Sequence, residues 1–237
     1  MTKTLAVIQS HYVPWAGFFD LICGCTDVVL LDSVQFSKNS FFNRNQLQGP
    51  NGNFWITIPI KTQGKAGQAI SEVEIEGSRW IKKHLSSLEQ SLNAAPFFKD
   101  CWDVWQQAYR ECLTASHLSK VNRIWLKCIL QQLKSPVRLH EDFHLIEPER
   151  DKNSRLISLC KSVGATTYRT GPKGLDYLDG SRFIAESISV EVIEYGNYYP
   201  YRTGSPNLHK PVSMLDNLAN LGSNVNEIFH HSFRSAN

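Results

Sequence analysis

The chain has 237 residues, 42% hydrophobic, 20% charged and 11% aromatic, a composition that excludes the disordered, collagen-like and coiled-coil classes. Twenty-five Lys and Arg against 22 Asp and Glu leave +3, and no basic stripe gathers them, so nucleic acid is not an expected partner. No run approaches the ~20 apolar residues that cross a bilayer, and the opening run Leu5 to Ile8 is far too short for a secretory core, which predicts a cytoplasmic protein without membrane contact.

Leu5 to Ile8 reads as a short strand, followed by a polar and aromatic turn through Pro14 and Gly17, a short helix Phe18 to Cys23, and a buried strand Asp27 to Asp32. That order is a βαβ unit, which predicts parallel strands joined by a right-handed crossover. Ser33 to Ile60 is aromatic and Asn-rich, and its Gly-Pro-Asn-Gly centre predicts a hairpin or an excursion over the sheet edge. Ala69 to Glu76 alternates like a half-exposed strand. Three helices with apolar residues at helical spacing follow: Ser78 to Leu92, Asp100 to Leu113 and Leu118 to Leu133. After Pro136 the α/β rhythm returns with strand Val137 to His140, helix Ser154 to Ser162 closed by Gly164, and strand Thr166 to Arg169. Helix Arg182 to Ser187, strand Val190 to Tyr195 and a helix starting near Ser213 complete the pattern, with the last fifteen residues read as frayed. The expected fold is a single α/β domain over residues 1–237, a Rossmann-like parallel sheet with an inserted helical segment at approximately residues 78–134.

Ligands of such sheets lie at the carboxyl ends of the strands, which makes the residues just past the first two strands the leading candidates. QSHYVPWAGFFDLI, Gln9 to Ile22, sets Gln9, His11, Tyr12 and Trp15 between a strand end and a helix start, a place for an anion or a nucleotide. The competing reading is that His11, Tyr12 and Trp15 pack the turn. Past the second strand come Asp32, Gln35, Lys38 and Asn43-Arg44-Asn45. An acid at a strand end can serve as a base, and the Arg44 fork matches a carboxylate or phosphate; a self-satisfying Asn/Ser turn is the alternative. His84 shares a helix face with Trp80, Ile81 and Leu88, so it is either a satisfied core histidine or a group facing the crevice. Lys61, Lys82, Lys83 and Lys173 are candidate phosphate contacts whose default is a solvated surface role, and His230 and His231 read as exposed.

Six cysteines lie in apolar or helical segments without C-x-x-C spacing, and His140 and His144 lack an accompanying carboxylate motif, so reduced thiols and no metal site are expected. The absence of G-x-S-x-G, a Walker loop and G-x-G-x-x-G removes the usual signs of a serine hydrolase, a P-loop NTPase and a dinucleotide oxidoreductase.

The runs QSHYVPWAGFFDLI, TDVVLLDSVQFSKNSFFNRNQL, NFWITIPIK, the Trp80 to His84 helix, TTYRTG and PVSMLDNLANLG resemble, in order, the WbqC-like protein family along nearly the whole chain. The resemblance implies small-molecule biosynthesis connected with bacterial surface polysaccharide. It implies recurring polar positions at Gln9, Tyr12, Trp15, Asp20, Asp32, Gln35, Lys38, Asn43, Arg44, Asn45, His84, Ser213 and Asp216, with His11 as a departure from the family pattern. The opening layout is also similar to pantothenate synthetases and other nucleotidylyl transferases, but Pro14-Trp15-Ala16-Gly17-Phe18 stands where they carry two histidines that handle ATP. A ligase-like crevice without those groups suggests a transferase that forms an amide, moving an acyl or aminoacyl group from an activated thioester, for example on an acyl carrier protein, to the amine of a sugar nucleotide or similar small molecule. The expected roles are Asp32 or His84 as base, Tyr12, Asn43 or Asn45 as oxyanion donors, and Arg44 and Lys38 as anion anchors, with no cofactor. An ATP-dependent ligase or nucleotidylyl transferase, and a non-catalytic accessory protein of polysaccharide biosynthesis, are the alternatives.

Overall fold

The computed structural model describes residues 2–49, 52–146, 151–199 and 212–236. Strand β1 (Thr4–Ile8), helix α1 (Ala16–Cys23) and strand β2 (Asp27–Leu30) form the expected unit, with β1 and β2 parallel in the register Leu5↔Asp27 to Ile8↔Leu30. Every residue of β2 is buried, as befits a central parallel strand with helices on both faces. The hairpin β3 (Arg44–Gly49) and β4 (Gly52–Thr57) stands as a separate two-stranded sheet; Pro50 and Asn51 of the Gly-Pro-Asn-Gly sequence lie outside the described residues. Helices α2 (Arg79–Leu92), α3 (Phe98–Cys112) and α4 (Leu118–Gln132) follow. Next come β5 (Arg138–Glu141), α5 (Lys152–Val163), β6 (Thr167–Thr170), α6 (Gly180–Ala185), β7 (Ser189–Ile193), α7 (Met214–Leu221) and β8 (Phe233–Ser235).

The main sheet runs β5-β2-β1-β6-β7-β8, parallel throughout except for β8, which pairs antiparallel with β7. This is a Rossmann-like α/β architecture. The hairpin and α2 to α4 fall between the neighbouring strands β2 and β5, so the helical segment interrupts a single crossover. Side chains alternate across the sheet. Ala6, Val28 and Leu30 join a core shared with α1, α2, α3, α4 and α7, whereas Leu5, Val29, Tyr168 and Val190 pack with Leu156, Leu159, Cys160 and Phe183 of α5 and α6.

Two expectations are corrected. Ala69 to Glu76 is not a strand: Ile70–Glu72 is a 3₁₀ turn, with only isolated bridges from Ala69, Glu74 and Ile75 to Gln35, His117 and Ile60. The Glu72 carboxylate accepts the Ala69 N–H at 2.8 Å, a local side-chain bond that competes with the strand ladder. The chain end is not frayed either. β8 pairs with β7, and the Asp20 carboxylate, fully buried in α1, accepts the backbone N–H groups of His230 and His231 and the Tyr198 hydroxyl at 3.2, 2.9 and 2.7 Å. A charge that deep inside requires such a set of donors.

Candidate functional site

The topology fixes where a ligand belongs. From β1 the chain turns to β2 on one side, whereas β6 flanks β1 on the other, so the switch point of the sheet lies between the carboxyl ends of β1 and β6. Gln9 and His11 leave β1 there, both half-buried and without a hydrogen bond to any described residue. The His11 ring sits 5.6 Å from Phe18, 5.5 Å from Phe42 and 6.2 Å from Phe41. Burial in this phenyl cage lowers its pKa to about 4, so at neutral pH the imidazole is uncharged and able to take a proton. Trp15, at the N-cap of α1, lays its indole on Gly17, where an added Cβ would come within 2.3 Å of the ring, and packs 5.1 Å from Tyr195 and 5.5 Å from Tyr198. On the β6 side of the switch point, Gly171 opens the turn after β6 close to the Tyr195 hydroxyl.

Asp32 stands apart from this opening. Its carboxylate accepts the Ser10 N–H at 2.9 Å, its own N–H donates to Asp142 at 3.2 Å, and it is only 3% exposed. Asn122 of α4 donates to the Ser10 carbonyl and hydroxyl at 3.2 Å each and to the Phe42 carbonyl at 3.0 Å, and the Ser33 hydroxyl donates to Asp142. Burial pushes the Asp32 carboxyl up, with the Asp142 charge adding to it, against the Ser10 donors and Arg123. The group fastens β1, β2 and β5 together, which makes Asp32 a staple rather than the expected base.

Tyr12 and His84 belong to another network: Tyr12 is fully buried, and His84 lines a separate cavity at the start of α2 with Thr57, Arg79, Trp80 and Lys83. The Tyr12 hydroxyl lies 2.9 Å from His84 Nδ1 and 2.8 Å from the Tyr109 hydroxyl, while His84 Nε2 lies 3.2 Å from the Thr57 carbonyl. A carbonyl only accepts, so Nε2 carries the proton, Nδ1 accepts from Tyr12, and Tyr109 donates to Tyr12. Burial lowers the His84 pKa to about 4 and raises that of Tyr12, so the chain of bonds is neutral and closed. Both nitrogens are occupied, which removes His84 as the base and Tyr12 as an oxyanion donor. Tyr12→Phe leaves His84 Nδ1 without its donor and is expected to cost about 1–3 kcal/mol, read by urea denaturation. The depressed His84 pKa also adds stability that is present above the usual imidazole value of 6.5 and fades as pH falls towards about 4.

Asn45 donates to the Val13 and Tyr12 carbonyls at 2.8 and 3.2 Å and holds Val13 in a left-handed conformation (φ 37°), and Asn43 donates to the Ile58 carbonyl at 2.9 Å. Both shape the backbone, and Asn45 spends its amide donors on two carbonyls. Lys61 shares Glu74 with Lys65, each at 2.6 Å. Ser213 caps α7 through the Leu215 N–H and bridges to Trp15, and Asp216 is buried in the first turn of α7. Gln35 and Lys38 are exposed. Arg44 lies on the hairpin, its Cζ 4.2 Å above the Trp55 ring. The expected grouping of Tyr12, Asp32 and Arg44 around one ligand is therefore overturned: the first two are sealed in separate networks and the third faces outward. Among the described residues no His, Cys, Asp and Glu cluster could hold a metal ion, and no helix is long and apolar enough to cross a membrane.

The model of the WbqC-like protein family matches residues 9–228. The chain belongs to the WbqC-like protein family. A Mycobacterium tuberculosis (strain ATCC 25618 / H37Rv) protein, "Uncharacterized protein Rv1507c", is 34% identical over 223 residues, covering 93% of this chain and 95% of its own. The WbqC-like match spans the switch point, the hairpin and α7, and stops short of β8.

Four features had no reading in the sequence. Asp142, in the 3₁₀ turn after β5, and Asn122 of α4 acquire their parts from positions some hundred residues from Asp32 and Ser10, for which no local pattern stands. Phe41 and Trp55 are exposed large aromatics beside Arg44, and their available signal is the lack of any Asp or Glu between Ser33 and Ile60.

Proposed function

We propose that the protein is a biosynthetic transferase that forms an amide, moving an acyl or aminoacyl group from a thioester donor to the amine of a sugar nucleotide or similar small molecule. The observation that carries this reading is His11: a neutral imidazole with no hydrogen bond to a described residue, at the switch point, beside the equally uncommitted Gln9. Amide formation from a thioester needs one proton moved and one oxyanion stabilised. The amine nitrogen attacks the thioester carbonyl and its proton passes to His11. The carbon–sulfur bond breaks, and His11 returns that proton to the departing thiolate. The Gln9 amide N–H groups donate to the tetrahedral oxyanion. A base that is unprotonated at neutral pH meets the first requirement without help from a metal or from ATP.

The test is mass spectrometry of the purified protein incubated with acyl thioesters of coenzyme A and of acyl carrier protein, together with a panel of amino-sugar nucleotides. A new amide with one equivalent of free thiol is expected. Product formed only with ATP makes the protein a ligase, and binding of the amines without conversion under any condition makes it an accessory protein; either result contradicts the transferase.

A further inference from the structure

Among the described residues the hairpin β3–β4 pairs with no other strand, and its two faces differ in burial. Asn45, Leu47 and Ile56 are buried on the inner face. The register Arg44↔Thr57 and Gln46↔Trp55 places those four residues on the other face. There Trp55 is 41% exposed and Phe41 43% exposed, with ring centroids 5.7 Å apart. Arg44 is laid over the indole and held by a bond from Nη2 to the Asn39 carbonyl at 2.5 Å, without an acidic partner among the described residues. Lys38, exposed and likewise unpaired among the described residues, adds a second cation, and the stretch from Ser33 to Ile60 contains no Asp or Glu to neutralise either. The strip is tied to the crevice: the Phe41 carbonyl accepts the Tyr12 N–H at 3.0 Å, and the Phe41 ring lies 6.2 Å from His11.

Exposed aromatic surface beside unneutralised cations is the pairing that takes a planar heteroaromatic base together with its phosphates. A guanidinium already stacked on an indole surrenders little further rotamer freedom when it binds an anion, and its planar fork suits phosphate. We infer that Phe41, Trp55 and Arg44 form a nucleoside diphosphate subsite, with the base stacked on the exposed rings, the diphosphate on Arg44 and the remainder of the substrate directed towards His11. This assignment rests on the transferase reading for what the substrate carries beyond its phosphates.

The experiment is isothermal titration calorimetry of the full chain with UDP, ADP and GDP. Inorganic pyrophosphate and a single-stranded oligonucleotide serve as comparison ligands, and Trp55→Ala and Arg44→Gln as variants whose folding is confirmed by circular dichroism. Binding of at least one nucleoside diphosphate is expected, weakened at least ~5-fold by Trp55→Ala and to a similar extent by Arg44→Gln. Saturation-transfer difference NMR on the unaltered protein should show the base protons in closest contact. No nucleoside diphosphate binding, affinity unchanged in both variants, pyrophosphate binding as tightly as the nucleotide, or a clear preference for the oligonucleotide each overturns the subsite. Amide formation with an unaltered KM in Trp55→Ala removes the subsite and leaves the transferase, whereas nucleotide binding with no amide product removes the transferase and leaves the subsite.

Discussion

Replacing Asp20 by Ala is expected to destabilise the protein by about 3–5 kcal/mol and to release the end of the chain from the sheet. The carboxylate is wholly buried, and its removal orphans the Tyr198 hydroxyl and the N–H groups of His230 and His231 together. Burial works against ionisation of Asp20, yet the hydrogen bonds from His231, Tyr198 and the two backbone amides outweigh it and hold its pKa below the ordinary value. The same contact raises the His231 pKa, against partial desolvation. The two signs differ. Asp20 contributes stability that is present above its unfolded pKa of about 3.9 and is lost as pH falls through its folded value, whereas His231 contributes stability that is present below about 6.5 and is lost as pH rises through its folded value. The pair is most stabilising between those limits. Urea denaturation across pH, with hydrogen exchange of β8, measures both effects. A change under 1 kcal/mol in Asp20→Ala, or β8 amides as protected as before, contradicts this account of the latch.

His11→Gln is expected to reduce kcat by about 10²–10⁴-fold, the usual loss when a general base is removed. The effect on stability is small, because the imidazole makes no hydrogen bond to a described residue and its cage is formed by three phenyl rings that remain. With a pKa near 4, the His11 contribution to kcat/KM is flat through neutral pH and falls only as pH drops to about that value. Steady-state rates over a pH series check this, with an intact thermal transition as the control for folding. An acidic limb near 6.5 in the unaltered protein, or undiminished kcat in His11→Gln, contradicts the role proposed for His11.

The opening strands and the inserted helices were legible because their burial is written locally. DVVL is buried at every position, and helices α2 to α4 place Leu88, Trp105 and Trp125 inward at helical spacing. Ala69 to Glu76 misled because its apolar residues Ile70, Val73 and Ile75 are all buried, yet Glu72 closes a turn on its own backbone. The site was legible only as a neighbourhood. Which of the polar groups past β1 and β2 are occupied depends on distant partners: Asp32 on the register that brings Ser10 alongside it, Tyr12 on α2 and α3, Asn45 on the turn at Val13. His11 and Arg44 stand out once those partnerships are known, since neither is satisfied by another side chain among the described residues.

The central claim, that substrate lies at the carboxyl edge between β1 and β6 and reaches out along the hairpin, is tested most directly by a crystal structure with a UDP-linked amino sugar bound. Ligand density is predicted to run from the rings of Trp55 and Phe41, past the Arg44 guanidinium, to an amine within hydrogen-bonding reach of His11. Density confined to the separate cavity at the start of α2, lined by Thr57, Arg79, Trp80, Lys83 and His84, with His11 uncontacted, would contradict it.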